Sequence, residues 1–298
     1  MKKIFKNASR IFLVAMAIVT VSSCDNDDHQ PDVPGTGGKT VRAVIAGYSG
    51  NEQTLEGEND IEDLNALIFK DGRLTEILKN IPSSGSSYDI KVGSREGTMY
   101  VVANTGGHLN LDSLQSAGIS EADWLRHPLA AGGDAPAHFF TGSVSLSQSQ
   151  QTVLPVTLKR GVARFDLRLR TAGDASVKAV KFANLAQSAY LFPVDGEHSP
   201  AGVTRGTAVK EFSSPLTADT KAVMYAYEQA NDGIEVTVDA VIDGKPRTLK
   251  KTLTGDLKRN TIYTITVRKD DIDVSLDITF EDWTEGGDTE LTPVLRHI

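Results

Sequence analysis

Between residues 163 and 170 the chain alternates without a break. Ala163, Phe165, Leu167 and Leu169 are apolar, and Arg164, Asp166, Arg168 and Arg170 are charged. Successive side chains of a strand point to opposite faces, so the pattern predicts a strand with one buried and one wet face. Residues 234–240, 263–267 and 274–280 repeat it. Shorter candidates lie at 41–46, 64–69, 88–92, 99–103, 139–146, 152–158, 177–182 and 222–228. Asp71-Gly72, Asn231-Asp232-Gly233 and Asp243-Gly244 supply turn signals between them. One polar face per strand argues for antiparallel sheets, not the doubly covered parallel sheets of α/β enzymes. Residues 111–125 depart from the pattern. Leu111 and Leu114 through Trp124 and Leu125 have helical spacing, with Ser120 as an N-cap ahead of Asp123. Many short strands and frequent turns predict an all-β chain of β-sandwiches, with a small helical insertion in the first. A boundary is expected between Thr157 and Gly161, giving an N-terminal domain at 40–158 and a C-terminal domain at 159–298. The second core is expected to hold Phe165, Leu167, Ile265, Val267, Leu276 and Ile278, and Tyr263 and Phe280 fall on apolar faces.

The N-terminus reads differently. Lys2, Lys3, Lys6 and Arg10 precede an apolar run at 11–21. That run is too short to cross a bilayer, which takes about 20 residues, so it reads as the apolar part of a signal peptide, residues 1–23. It ends in Val21-Ser22-Ser23-Cys24, which resembles the bacterial lipobox. The resemblance implies lipidation of Cys24, the single cysteine of the chain, and anchoring in the outer membrane. The cluster Asp25, Asn26, Asp27, Asp28 resembles the export signal that sends Bacteroidota lipoproteins to the cell surface. Residues 24–39 are rich in Asp, Pro and Gly and read as a flexible linker.

Charge and cysteine count narrow the classes further. The whole chain has 31 basic and 39 acidic residues; without Lys2, Lys3, Lys6 and Arg10 the net charge is −12. So acidic a chain is a poor match for nucleic acid, which is held through basic contacts to phosphate. With one cysteine no disulfide staples the mature protein, and its stability rests on core burial.

Candidate chemistry is sparse. His29, His108, His127, His138, His198 and His297 include no pair at i, i+3 or i+4, so no helical metal pair is visible. Gly47-Tyr48-Ser49-Gly50 is one residue short of a nucleophile elbow. Gly38-Lys39-Thr40 resembles the end of a P-loop, but Val33 stands where the motif needs glycine. Asp270, Asp271 and Asp273 lack the glycine of a calcium loop and read as a polar turn. Carboxylate pairs such as Glu281-Asp282 are common in an acidic chain and do not define a glycosidase. The reading is a protein that is not an enzyme and needs no cofactor.

Several segments together resemble the fimbrillins of the Bacteroidota, the type V pilins. The segment Leu158-Lys159-Arg160-Gly161-Val162-Ala163-Arg164-Phe165 is similar to the strand that opens their second domain. Met224-Tyr225-Ala226-Tyr227-Glu228 is similar to their aromatic strand ending in glutamate. The run from Leu257 through Arg259-Asn260 and Tyr263 to Val267 resembles their R-N-x-x-Y-x-I-x-V strand. Trp283 with Gly286 and Gly287 matches a late W-x-x-G-G element, and Ile61–Leu64 with Ile68–Gly72 fits the early strand and turn. Arg160, Asn260, Tyr263 and Trp283 are structural in this reading, Trp283 as a core or sheet-edge aromatic.

The resemblance implies two tandem transthyretin-like Greek-key β-sandwich domains. It also implies a structural or accessory fimbrial subunit that joins other fimbrial subunits by strand exchange and supports adhesion. In stalk subunits of the family a protease cutting after Arg or Lys removes the first strand. Here that strand is residues 40–47, expected at a sheet edge and held by Val41, Ala43, Val44, Ile45 and Ala46. From Ala43 to Phe69 there is no Lys or Arg, so Arg42, inside the strand, is the candidate processing site, with Lys39 at its start. The tail after Trp283 is short and interrupted by Pro293. Both features lean toward a terminal or accessory subunit. The rival reading is a surface glycan-binding outer-membrane lipoprotein, which would present an exposed aromatic platform; aromatic residues are 6% of the chain.

Overall fold

In the computed structural model the described residues are 38–49, 54–83, 87–130, 136–147, 151–269 and 274–280. The first half carries strands β1 (Lys39–Ile45), β2 (Leu64–Lys70), β3 (Arg73–Leu78), β4 (Tyr88–Val92) and β5 (Thr98–Ala103). Helices α1 (Leu111–Ala117) and α2 (Glu121–Leu125) follow, then β6 (Pro128–Ala130), β7 (Phe140–Ser145) and β8 (Val153–Arg160). The second half is β9 (Val162–Thr171), β10 (Ala175–Ala186), β11 (Ser188–Tyr190), β12 (Arg205–Leu216), β13 (Thr220–Tyr227), β14 (Glu235–Ile242), β15 (Lys245–Thr252), β16 (Ile262–Lys269) and β17 (Val274–Phe280). The described residues are all-β apart from the short helical insertion.

Seven strands of the first half form one sheet in the order β3-β2-β5-β7-β8-β1-β4. Strands β7 and β8 pair only through Phe140 with Arg160 and Thr141 with Lys159. The two parts on either side of this short seam share one apolar core. Ile68, Met99 and Val101 enter it from β2 and β5, and Val41, Ile90 and Val156 from β1, β4 and β8. In the second half two four-stranded sheets, β12-β10-β14-β15 and β13-β9-β16-β17, share a second core. Phe165, Leu167, Ile265, Val267, Leu276 and Ile278 are all buried in it, as the alternation predicts. The Phe165 ring packs edge-on against Phe182 at 4.6 Å and stacks on Tyr263 at 5.2 Å.

A third core ties the halves together. Trp124 of α2 is fully buried there beside Phe69 and Phe192, with Phe139, Val162, Leu191 and Tyr227 around them. Strands β6 and β11, one from each half, pair at its rim. Only Gly161 separates β8 from β9. Its lack of a side chain is required: a Cβ there would sit 1.9 Å from Cζ of Phe139.

The structure corrects four expectations. The sheets are mixed, because β1 runs parallel to β8 and β9 parallel to β16. The helical segment is two helices. Gly118 ends α1 in the left-handed region, φ 61°, and Ser120 caps α2 by accepting from the Asp123 N–H. The strand at residues 40–47 is not at an edge: β1 lies between β4 and β8. The charged face of β9 is wet only toward its end: Arg164 is fully buried and Asp166 nearly so, whereas Arg168 is half-buried and Arg170 exposed. Edge strands β12 and β15 carry no clear alternation and escape the sequence reading, as do β3, β6 and β11.

Candidate functional site

The residues singled out by sequence converge on β1 and the turn that follows it. Along β1 the inward positions are Val41 and Ala43, both fully buried, with Ile45 at the core rim. Arg42 and Val44 point outward, Val44 being 42% exposed, so Val44 does not hold the strand by burial as expected. Thr40 to Ile45 pair with Val153 to Leu158 of β8, and Lys39 to Ala43 with Val92 to Tyr88 of β4. Lys39, at the tail of the P-loop-like triplet, is buried and donates from Nζ to the Leu146 carbonyl. Arg42 grips Asp89 of β4 in a fork, Nε to Oδ1 at 2.7 Å and Nη2 to Oδ2 at 3.0 Å. This pair is exposed, and solvent and salt screen such pairs so that they hold a strand only weakly.

Beyond β1 the chain is bound at every residue from 46 to 49. The Ala46 N–H donates to the Leu158 carbonyl at 2.8 Å, and Arg160 Nη1 donates to the Ala46 carbonyl at 2.8 Å. Asn260 Nδ2 donates to the Gly47 carbonyl at 2.9 Å, and the Ser49 N–H donates to the Asn260 carbonyl at 2.9 Å. Asn260 can offer both groups because it adopts the left-handed region, φ 54°, which asparagine tolerates better than most residues. Tyr48 is buried beneath the Arg160 guanidinium, which lies 4.3 Å from its ring centre, within cation–π range.

Under Tyr48 lies a buried ionic cluster. Glu58 accepts from Tyr48 Oη at 2.9 Å, Tyr225 Oη at 2.8 Å, the Leu55 N–H at 2.6 Å and Arg164 Nη1 at 2.9 Å. Arg164 also forks onto Asp166, Nε to Oδ1 at 2.9 Å and Nη2 to Oδ2 at 3.0 Å, and Asp166 accepts from the Ala222 N–H at 2.8 Å. Arg160 reaches Asn260 Oδ1 at 3.2 Å and Asn59 Oδ1. Two guanidinium groups therefore face two carboxylates, Glu58 and Asp166, and the ionic charge balances. That is the condition under which buried charge is tolerated.

The titration of these groups follows from their surroundings. Burial works against the Glu58 charge, but the Leu55 N–H, Tyr225 and Arg164 outweigh it and hold the carboxyl below its ordinary value. Burial, helped by the charge of Glu58, pushes both the Tyr48 and Tyr225 hydroxyls upward, so both remain donors. Burial lowers Arg160, while for Arg164 the Asp166 carboxylate overcomes burial and raises it. The result is a set of fixed donors and acceptors, suited to holding backbone in place. Among the described residues no group of three or more His, Cys, Asp or Glu side chains is placed to hold a metal ion.

Of the other residues singled out, Arg259 clamps the end of β11. It donates to the Leu191 carbonyl at 2.8 Å and the Tyr190 carbonyl at 2.9 Å, and pairs with Glu228 at 2.6 Å. Tyr263 is core, with its hydroxyl accepting from the Lys258 N–H at 2.9 Å. Arg160, Asn260 and Tyr263 thus each make contacts that hold backbone in place. Cys24, Trp283, His29, His297, Asp270, Asp271, Asp273 and Glu281-Asp282 lie outside the described residues, as does the side chain of Phe280. Sequence reasoning missed Glu58, Asn59 and Tyr48 as partners of the motif residues. Glu58 and Asn59 lie in a Gly/Glu/Asn/Asp stretch that carries no periodic signal.

The architecture is that of an all-β protein of packed sandwiches whose first strand is seated between two others. No protein-family model matches the chain. The major fimbrium subunit FimA type-2 of Porphyromonas gingivalis is 26% identical over 98 residues, 33% of this chain and 25% of that protein. The match therefore spans a quarter of the length of that curated relative. Among solved structures, the tip fimbrial protein Mfa3 of Porphyromonas gingivalis, with C-terminal truncation, aligns with a TM-score of 0.58 at 14% identity. That alignment covers 82% of this chain and 100% of that one. A fimbrial assembly protein of Parabacteroides distasonis aligns with a TM-score of 0.55 at 15% identity, covering 82% and 96%. The chain shares the fold of these two fimbrial proteins, and over 98 residues its sequence is similar to a major fimbrium subunit.

Proposed function

We propose that the chain is a structural or accessory subunit of a surface fimbria, exported as a lipoprotein through Cys24 and joined to other fimbrial subunits by β-strand exchange. It acts as a structural protein, not an enzyme, at the outer-membrane surface or in the fimbrium. Its working parts are two sandwiches, residues 40–158 and 159–298. The observation that carries the reading is the place of β1 between β4 and β8. Removing an interior strand leaves two unpaired edges and the apolar floor beneath Val41 and Ala43, a slot that a strand from another subunit fills. An interior position also answers how so short a strand is held. Val41, fully buried, contributes about 1.5–3 kcal/mol, and Ile45, at the core rim, contributes less. Pairing on both sides adds about 0.5–1.5 kcal/mol net per hydrogen bond. Arg42 is the candidate processing site, and it becomes accessible to a protease only when β1 leaves the sheet.

A further observation weighs against glycan binding. Every aromatic side chain among those described is buried or half-buried, and the exposed large apolar residues are Val44, Val153 and Val209. The test is isolation of fimbriae from the native host, with the chain and its N-terminal residue identified by mass spectrometry. The wild type should copurify with fimbriae, and Cys24→Ala should lose fatty-acid labelling and leave the membrane fraction. Unchanged labelling in that variant would refute the lipid anchor. Absence from fimbriae in every form would remove the fimbrial reading and leave the glycan-binding one.

A further inference from the structure

The two ends of β1 are held in different ways. At its start, Lys39 and Thr40 are tied by ladder pairing and by the Lys39 Nζ contact, all within the first-half sheet. After its end, Ala46 is still held by β8, through the Leu158 carbonyl and the Arg160 side chain, while Gly47 to Ser49 are tied to the second half: Asn260 on Gly47 and Ser49, and a bridge from Ser49 to Thr261. Tyr48 sits beneath Arg160 with its hydroxyl on Glu58, and Glu58 is itself fixed by Arg164. The basic residues nearest to it, Lys39 and Arg42, lie upstream of this anchored stretch, and none follows until Lys70.

A cut at Arg42 thus separates the strand into two parts with different fates. Residues 39–42 are freed with the upstream chain. Residues 43–49 stay joined to the body and keep their contacts to Arg160, Asn260 and Glu58. At about 3.3 Å per residue the vacated part is roughly 13 Å long, and Ala43 and Ile45 still occupy the rest of the slot.

We propose that Arg160, Asn260, Tyr48 and Glu58 form a latch that keeps residues 43–49 seated whether or not the chain is cut at Arg42. The chain's own slot then never opens fully, and the chain closes one end of a polymer instead of linking two neighbours. This rests on the strand-exchange reading above, and the test separates the two. Full-length Cys24→Ala protein, intact and after digestion by an arginine-specific protease, is followed by hydrogen exchange over residues 43–49. The same samples are offered a fluorescent peptide of the β1 sequence, KTVRAVI, and uptake is read by anisotropy. Asn260→Ala and the milder Tyr48→Phe, checked for an intact fold by their melting transitions, supply the broken latch.

The wild-type Ala46 and Ser49 amides should keep their protection after digestion, and no peptide should enter. In the variants protection over 43–49 should fall at least tenfold, with peptide uptake appearing in the cut form. A wild type that resists cutting at Arg42 while Tyr48→Phe is cut also supports the latch. Equal protection in wild type and variants, or peptide uptake at the same rate in both, overturns it. If the variants loosen and no form ever takes up peptide, the latch contacts stand and the strand-exchange reading fails.

Discussion

The two faces of β9 are built from the same ten residues and solve burial in opposite ways. On the inner face Phe165 and Leu167 join an apolar core that needs only shape and volume. On the outer face Arg164 and Asp166 are as deeply enclosed, beneath Tyr48, Glu58 and Tyr225. There each charge has a named partner, because a buried ion without one is expelled or neutralised. The difference teaches that alternation identifies the apolar side of a strand without identifying the side that meets water. A second layer can cover either face if its chemistry matches.

The comparison is tested most severely by Arg164→Met against Phe165→Ala. Loss of Arg164 leaves Glu58 and Asp166 buried without their cation and should cost about 3–5 kcal/mol. Loss of the Phe165 ring should cost about 3–5 kcal/mol through transfer and cavity terms. Both are read from urea unfolding midpoints. The faces differ in rescue: adding Asp166→Asn to Arg164→Met leaves Arg160 opposite Glu58 and should restore much of the loss, and no polar change elsewhere should rescue Phe165→Ala. Failure of that rescue would mean that the outer face is held by packing alone.

A smaller effect is expected with pH. The folded Glu58 carboxyl titrates below its ordinary value. Its contribution is therefore complete above the unfolded value of about 4.3 and is lost as pH falls through the lower folded value. The stability gap between wild type and Glu58→Gln should be flat from pH 7 to about 5 and close below that. A gap that widens in acid would reverse the assignment. The smallest effect should come from Arg42→Ala, an unfolding midpoint almost unchanged from wild type, because its pair with Asp89 is exposed. A larger loss would show that the outer surface of β1, not its buried side, holds the strand in the slot.

The inner faces were readable because they obey a local rule. Strand β4 falls at 88–92 as expected. Asp71-Gly72 and Asp243-Gly244 turn with φ of 52° and 74°, and 49° and 73°, and Ser120 caps its helix. Strand β15 was illegible because Lys-Pro-Arg-Thr-Leu-Lys-Lys-Thr is an edge sequence with one apolar residue, Leu249, packed on the core. Neighbour relations were illegible for a different reason. Nothing in residues 39–45 says that β4 and β8 flank them, since pairing is decided by sequence more than forty residues away on one side and a hundred on the other. The ionic cluster joins Glu58 to Arg164 across 106 residues of chain and Tyr225 to Glu58 across 167. The motif residues Arg160 and Asn260 were visible as a resemblance, but their shared task on residues 46–49 appears only when those residues lie between them.

The single-residue step at Gly161 has a mechanical meaning. Strand β8 ends at Arg160 and β9 begins at Val162, and the Gly161 N–H is tied to the Phe139 carbonyl at 2.9 Å. A pull on one half therefore reaches the other through a single residue, with no slack loop to absorb it. The first bonds to feel such tension are the in-line pairs of β8 with β1 and β9 with β16. These parallel ladders share load across their length in shear instead of opening one bond at a time, so the chain should yield abruptly at high force.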